Sequence, residues 1–152
     1  MAIIKDEVAE KKGTESVLAS PLDELLGYRL RRASMATMAD ILSILRPMGL
    51  SAGEASVLIL VGANPGCRQS DVGRALEIKR ANLTPLVARM KGRGLVEDAP
   101  IDGRSRSLTL SKDGKELHDK ALSRVIAADK KARRDLGLDE EVLLAALRKI
   151  SD

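Results

Sequence analysis

Arg80 and Asn82 are side chains suited to reading duplex DNA, because a guanidinium pairs bidentately with guanine O6 and N7 and a carboxamide with adenine N6 and N7. Thr84 follows on the same outward face. Lys79, Arg89, Lys91 and Arg93 surround them with cations suited to phosphates, which position a protein on DNA without reading its sequence. Downstream, Asp102-Gly103-Arg104-Ser105-Arg106 forms a second basic cluster. Arg104 has the charge to meet DNA, Asp102 can orient its guanidinium, and Arg106 suits a phosphate. The plainer reading of this loop is an exposed turn whose ion pair is worth about 0 to 1 kcal/mol. Between Asn64 and Lys112, ten Lys/Arg stand against five Asp/Glu, a net charge of +5, while the rest of the chain sums to −1. The basic excess is local and coincides with these residues, as a nucleic-acid footprint requires.

A third cluster, Tyr28, Arg29, Arg31 and Arg32, reads either as a solvated helix face or as an anion site for carboxylate or phosphate. No spacing fits a nucleophile with its base, a metal site or a phosphate loop, so neither an enzyme nor a cofactor is expected. Cys67 is the only cysteine and cannot form an internal disulfide. At a helix start it reads as packing rather than as a redox sensor. His118 has no nearby Cys or second His and reads as a surface or interface residue, not a metal ligand. With no Trp or Phe and Tyr28 alone, stacking platforms for single strands are missing, which favours duplex DNA. The opening MAIIKDEVAEKKG fits neither a secretory nor a transit peptide. No apolar run approaches the roughly 20 residues of a membrane span. A cytoplasmic protein is expected.

The elements that position these groups follow from periodicity. Residues 1–19 lack a sustained period and read as a flexible arm. Ser20 and Pro21 suit the start of a helix running to Leu45, and its apolar stripe is broader than one small domain can cover. Pro47-Met48-Gly49 stops it. Ser51 and Glu54 form a capping box before a short apolar helix that ends at Asn64-Pro65-Gly66. A second helix spans about Gln69 to Leu76. A third starts at Lys79 or Arg80 and runs to Lys91, with Leu83, Leu86, Val87 and Met90 inward and Arg80, Ala81, Asn82, Thr84, Ala88 and Arg89 outward. Residues 95–98 and 106–110 alternate as two strands around the Asp102-Gly103 turn. A long helix then reaches about Arg134, Leu136-Gly137-Leu138 breaks it, and Asp139 can cap a last helix. The expected fold is mainly α with a small β-hairpin wing. Residues 51–111 form a winged helix-turn-helix DNA-binding domain, and residues 20–50 and 112–152 a helical dimerisation region.

From the first helix onward the layout resembles the multiple antibiotic resistance regulator (MarR) family of winged-helix repressors. The resemblance is carried by Asp102-Gly103-Arg104-Ser105-Arg106, by Leu108-Thr109-Leu110-Ser111 with Gly114, by Arg68-Gln69-Ser70-Asp71-Val72, and by Ile78 to Val96 with its Arg-Gly-Leu-Val exit. Four positions depart from the pattern. Arg68 stands where a Thr usually caps a helix, Glu77 where a Gly turns the chain and Lys79 where a Ser caps the next helix; Pro85 interrupts that helix.

The resemblance implies a homodimer built by the terminal helices, a recognition helix from about Arg80 to Lys91, and Arg104 at the minor groove. It also implies a small-molecule pocket between the dimerisation helices and the DNA-binding lobe, whose occupation releases DNA. Leu26-Gly27-Tyr28-Arg29-Leu30-Arg31-Arg32 is similar to the start of regulators that sense aromatic acids or their coenzyme A thioesters. The expected function is therefore a ligand-responsive dimeric repressor on a palindromic operator. Its partners are double-stranded DNA, a second copy of itself and a small-molecule effector, for example an aromatic acyl-coenzyme A. The alternative is a winged-helix module that binds another protein, which has no need of the local +5 charge.

Overall fold

The computed structural model describes residues 20–103, 105–137 and 140–151. The arm expected over residues 1–19, the wing residue Arg104 and the capping residue Asp139 lie outside the described residues. The chain divides into two units, up to Met35 and from Ala36 onward.

In the first unit the helix expected to begin at Pro21 starts later. Pro21–Glu24 is a single 3-10 turn, Leu25 is extended at φ −90° and ψ 122°, and Ser20 makes no side-chain cap. Helix α1 then runs Leu26–Leu45. The break leaves the Asp23 carbonyl without a helical partner, and Arg29 supplies one: its Nε donates to that carbonyl at 2.7 Å while its guanidinium lies 3.6 Å from the Asp23 carboxylate.

In the second unit α1 ends in a 3-10 turn, Arg46–Met48, closed by Gly49. Helix α2, Ala52–Ala63, starts with the expected capping box: Ser51 Oγ accepts from the Glu54 amide at 3.2 Å, and the Glu54 carboxylate accepts from the Ser51 amide at 2.9 Å. Its apolar residues surround the helix, so it lies in the core, where Val57, Leu58 and Val61 are fully buried. Strand β1, Cys67–Arg68, leads into α3, Gln69–Ala75, and α4, Arg80–Gly92. Helix α4 stays continuous through Pro85, and its inward and outward faces are those the sequence pattern predicts.

Strands β2, Val96–Pro100, and β3, Arg106–Leu110, form the hairpin, with Asp98 opposite Leu108 and Pro100 opposite Arg106. The sheet has three strands in the order β1-β3-β2, where sequence alternation gives only two, because β1 adds just two residues and shows no period of its own. Helix α5, Lys112–Leu136, begins where Ser111 Oγ accepts from the Gly114 amide at 3.0 Å and donates to the Gly94 carbonyl. A Cβ on Gly114 would fall 1.9 Å from the Leu95 carbonyl oxygen, so this junction admits only glycine. Helix α6 is Glu140–Ser151. The fold is mainly α with a small antiparallel wing sheet. Among the described residues no single helix is long and apolar enough to cross a membrane.

Candidate nucleic-acid interface

Helices α3 and α4 meet through a turn that closes α3 tightly. The Ile78 amide donates to the Gly73 carbonyl at 2.8 Å and the Glu77 amide to the Arg74 carbonyl at 3.2 Å, a Schellman arrangement with Glu77 at the left-handed position, φ 53°. This turn sets α4 so that Leu83, Leu86, Val87 and Met90 enter the core. The opposite face presents Arg80, Ala81, Asn82, Thr84, Ala88 and Arg89 to solvent. Gln69 Nε2 of α3 reaches Thr84 Oγ1 at 3.5 Å. A hollow of about 510 Å³ opens where α3, the start of α4 and the hairpin converge, and Arg74, Arg80, Thr84, Ser105 and Arg106 are among its walls.

The basic side chains separate into two groups. Lys79, Arg80 and Arg89 are exposed and have no ion pair among the described residues. No Asp or Glu occurs anywhere on α4. Lys91, Arg93 and Arg106, expected from the sequence to meet phosphates, each have an acidic partner within the protein. Lys91 Nζ and Arg106 Nε both bind the Asp98 carboxylate, and Arg93 Nη1 lies 3.0 Å from Glu54 Oε1.

These contacts set the two acids below the ordinary carboxylate range. For Asp98 the hydrogen bonds from Arg106 and then Lys91 outweigh burial. For Glu54 burial is the largest single influence and pulls upward, but the Ser51 amide and hydroxyl and the Arg93 charge together overcome it. Asp102 Oδ1 accepts from the Ser105 amide at 2.8 Å, which fixes the hairpin loop locally. The orienting role expected of Asp102 toward Arg104 falls on a residue outside the described set.

The remaining candidates lie elsewhere. In the first unit Arg32 sits 6.0 Å from the Tyr28 ring centroid, Arg29 is engaged by Asp23, and Arg31 is exposed without an ion pair among the described residues. A second hollow of about 510 Å³ in the other unit is walled by Ile41, Ile44, Val125, Ile126 and the carboxylates Asp40, Asp129 and Asp135. Cys67 belongs to β1, not to a helix start, and burial followed by the Asp71 charge pushes its thiol up, away from the reactive thiolate. His118, expected at the surface or an interface, is partly buried: its side chain is 13% exposed, and its ring packs so closely over Gly62 that a Cβ there would lie 2.5 Å from Nε2. Sequence reasoning passed over Asp98 and Glu54 as charge partners. Alternation did carry a signal for Asp98, since a strand with Val96 inward also turns Asp98 inward.

A helix pair followed by an antiparallel hairpin, with a basic acid-free face on the second helix, defines a winged helix-turn-helix. Residues 48–105 match the model of the MarR family. The chain is similar to the transcriptional repressor CouR bound to a 23-mer DNA duplex, with 33% identity, 86% of this chain and 95% of that one covered, and a TM-score of 0.76. It is also similar to CouR bound to p-coumaroyl-CoA, with 32% identity, 86% and 94% covered, and a TM-score of 0.76. A protein of Thauera aromatica, described as transcriptional regulatory for the hcr operon, is 27% identical over 92 residues, 59% of this chain and 55% of that protein's length. The chain thus spans about half of that curated relative. This chain belongs to the MarR family of winged-helix transcriptional regulators.

Proposed function

We propose that the chain is a dimeric, ligand-responsive repressor that binds a near-palindromic duplex operator and leaves it when an aromatic acid or its coenzyme A thioester binds. The observation that carries this is the outward face of α4, where Arg80, Asn82, Thr84 and Arg89 are exposed on a helix without a single carboxylate. Arg80 and Asn82 at its start are the base readers, Thr84 an auxiliary donor, and Lys79 and Arg89 the phosphate contacts. In this reading residues 51–111 bind DNA, with Asp102 and Arg104 in the wing, and residues 20–50 and 112–152 dimerise. Support for the dimer comes from α6, whose Val142, Leu147 and Ile150 remain exposed. Two recognition helices related by a two-fold axis require half-sites about 10 base pairs apart.

CouR, similar over nearly its whole length, is a repressor seen with DNA and with p-coumaroyl-CoA, which supports both the repressor role and the effector class. Tyr28, Arg29, Arg31 and Arg32 are our candidates for holding the effector's carboxylate or phosphates; among the described residues Arg31 and Arg32 have no ion pair, and Arg32 lies against the Tyr28 ring. The chain then works by binding equilibria alone, with no catalytic step and no cofactor.

Selection of bound duplexes from a random pool, followed by titration with p-coumaroyl-CoA and free p-coumarate, tests the reading. An inverted-repeat consensus is expected, with Arg80→Ala and Asn82→Ala each weakening binding by about 1 to 3 kcal/mol. Arg31→Ala or Arg32→Ala should blunt release by the thioester while leaving DNA binding intact. A pool without inverted symmetry rejects the architecture. Equal ligand response in both arginine variants removes that cluster from the effector site.

A further inference from the structure

We propose that Asp98 is a specificity-determining positioning residue: its carboxylate ties Lys91 of α4 to Arg106 of the wing and withholds both cations from phosphates. The proposal rests on the DNA-binding reading above and adds to it a residue that acts against indiscriminate binding.

The placement follows from strand register. Directly opposed residues of an antiparallel pair share a face, and Asp98 is opposite Leu108, which is fully buried. Asp98 therefore lies on the core side of the hairpin, with its side chain 7% exposed, whereas its neighbour Glu97 is exposed. A carboxylate so covered needs partners for both oxygens. Each oxygen has its own: Lys91 Nζ on Oδ1, from the last turn of α4, and Arg106 Nε on Oδ2, from the first residue of β3. Arg106 also walls the hollow shared with Arg80 and Thr84, so the cation held back belongs to the same face.

Two consequences follow. The wing and the C-terminal end of the recognition helix are joined by charge across a covered carboxylate, which fixes the angle between the two elements that enter DNA. Each held on its own oxygen of one carboxylate, neither Lys91 nor Arg106 is free to displace a counterion from a phosphate. Non-specific binding is almost wholly electrostatic, so it falls with every cation so engaged, while base contacts by Arg80 and Asn82 are untouched.

Binding of a random-sequence duplex of about 30 base pairs, followed by fluorescence anisotropy between about 50 and 300 mM KCl, tests this through the slope of log K against log salt, about −0.9 per phosphate contact. Asp98→Asn should free both cations, steepen the slope by about one to two units and tighten binding to random duplex. Asp98→Glu should restore the wild-type slope. Glu97→Gln removes the same charge without freeing a cation and should keep the slope of the parent. Lys91→Gln, at a half-exposed position that tolerates the change, should also leave the slope unchanged, and it decides the matter if Asp98→Asn does not fold. A slope flattened by about 0.9 in Lys91→Gln would make Lys91 a phosphate contact and overturn the proposal. So would equal slopes for Asp98→Asn and Glu97→Gln. If the wild type binds no duplex at low salt, the DNA-binding reading fails and takes this one with it; wild-type binding with a flattened Lys91→Gln slope defeats this one alone.

Discussion

Glu77 is the only non-glycine among the described residues with positive φ, and replacing it should stabilise the protein. At φ 53° a side chain with a Cβ crowds the following carbonyl, at a cost of about 1 to 2 kcal/mol. The turn imposes that angle, because the two Schellman bonds from Ile78 and Glu77 to the last turn of α3 require a left-handed residue between them. Glu77→Gly removes the crowding but returns about 0.5 to 1 kcal/mol through the greater freedom of glycine in the unfolded chain. The net expectation is a gain of about 0.5 to 1 kcal/mol. Urea unfolding at one fixed protein concentration should show it as a higher midpoint with unchanged m, concentration being held so that self-association affects parent and variant alike. Glu77→Asn should fall between parent and Gly, since Asn tolerates the left-handed region, and Glu77→Ala should gain nothing. A midpoint for Glu77→Gly at or below the parent's, with equal m, would falsify the strain assignment.

Other outcomes are equally specific. Gly114→Ala should destabilise by about 1 to 3 kcal/mol or more in the same unfolding assay, because its Cβ would meet the Leu95 carbonyl at 1.9 Å at a backbone junction. Glu54 and Asp98 both have carboxyls held below the ordinary range, so their stabilisation is present above that range and lost as pH falls through their depressed folded values. Glu54→Gln should accordingly lower stability at neutral pH and reduce its decline under acid, measured by thermal melts across pH. Lys79→Ser should add a missing N-cap worth about 0.5 to 2 kcal/mol of stability while flattening the salt dependence of duplex binding by about one contact.

The sequence showed most of the architecture because its long elements are strongly periodic and punctuated. The α4 faces followed from Leu83, Leu86, Val87 and Met90 alone, and the capping box of α2 from Ser51 and Glu54. Short and non-local features escaped. Strand β1 is two residues long and exists only because β3 offers an open edge at Leu108 and Ser107. The early start expected for α1 failed because Leu25 is extended and Arg29 satisfies Asp23 from outside the turn. Charge partners were hidden for the same reason: Arg93 and Glu54 lie 39 residues apart, and only the fold brings them to 3.0 Å. A count of cations therefore locates a basic face but overstates how many of them are free to leave it.

Of the cations without an ion pair among the described residues, Lys79 and Arg80 stand at the start of α4 and Arg89 in its last turn, beside the held Lys91 and Arg93. At its start α4 has no side-chain cap from Lys79, and Pro85 removes one backbone donor from its interior. Arg80, Asn82 and Thr84 project from this half, which places Leu83 alone in the core. At its end Leu86, Val87 and Met90 are buried, Lys91 is tied to the hairpin through Asp98, and Arg93 is tied to the first turn of α2 through Glu54. Helical stability in short helices comes mainly from such tertiary burial, so the C-terminal half, with three core residues and the ties to Asp98 and Glu54, carries more of the anchoring than the half that buries Leu83 alone. That division suits a reader of base edges. In the proposed DNA-binding reading the anchored end sets the entry angle of α4, and Arg80 and Asn82, on a first turn without a side-chain cap, are the groups that meet the groove.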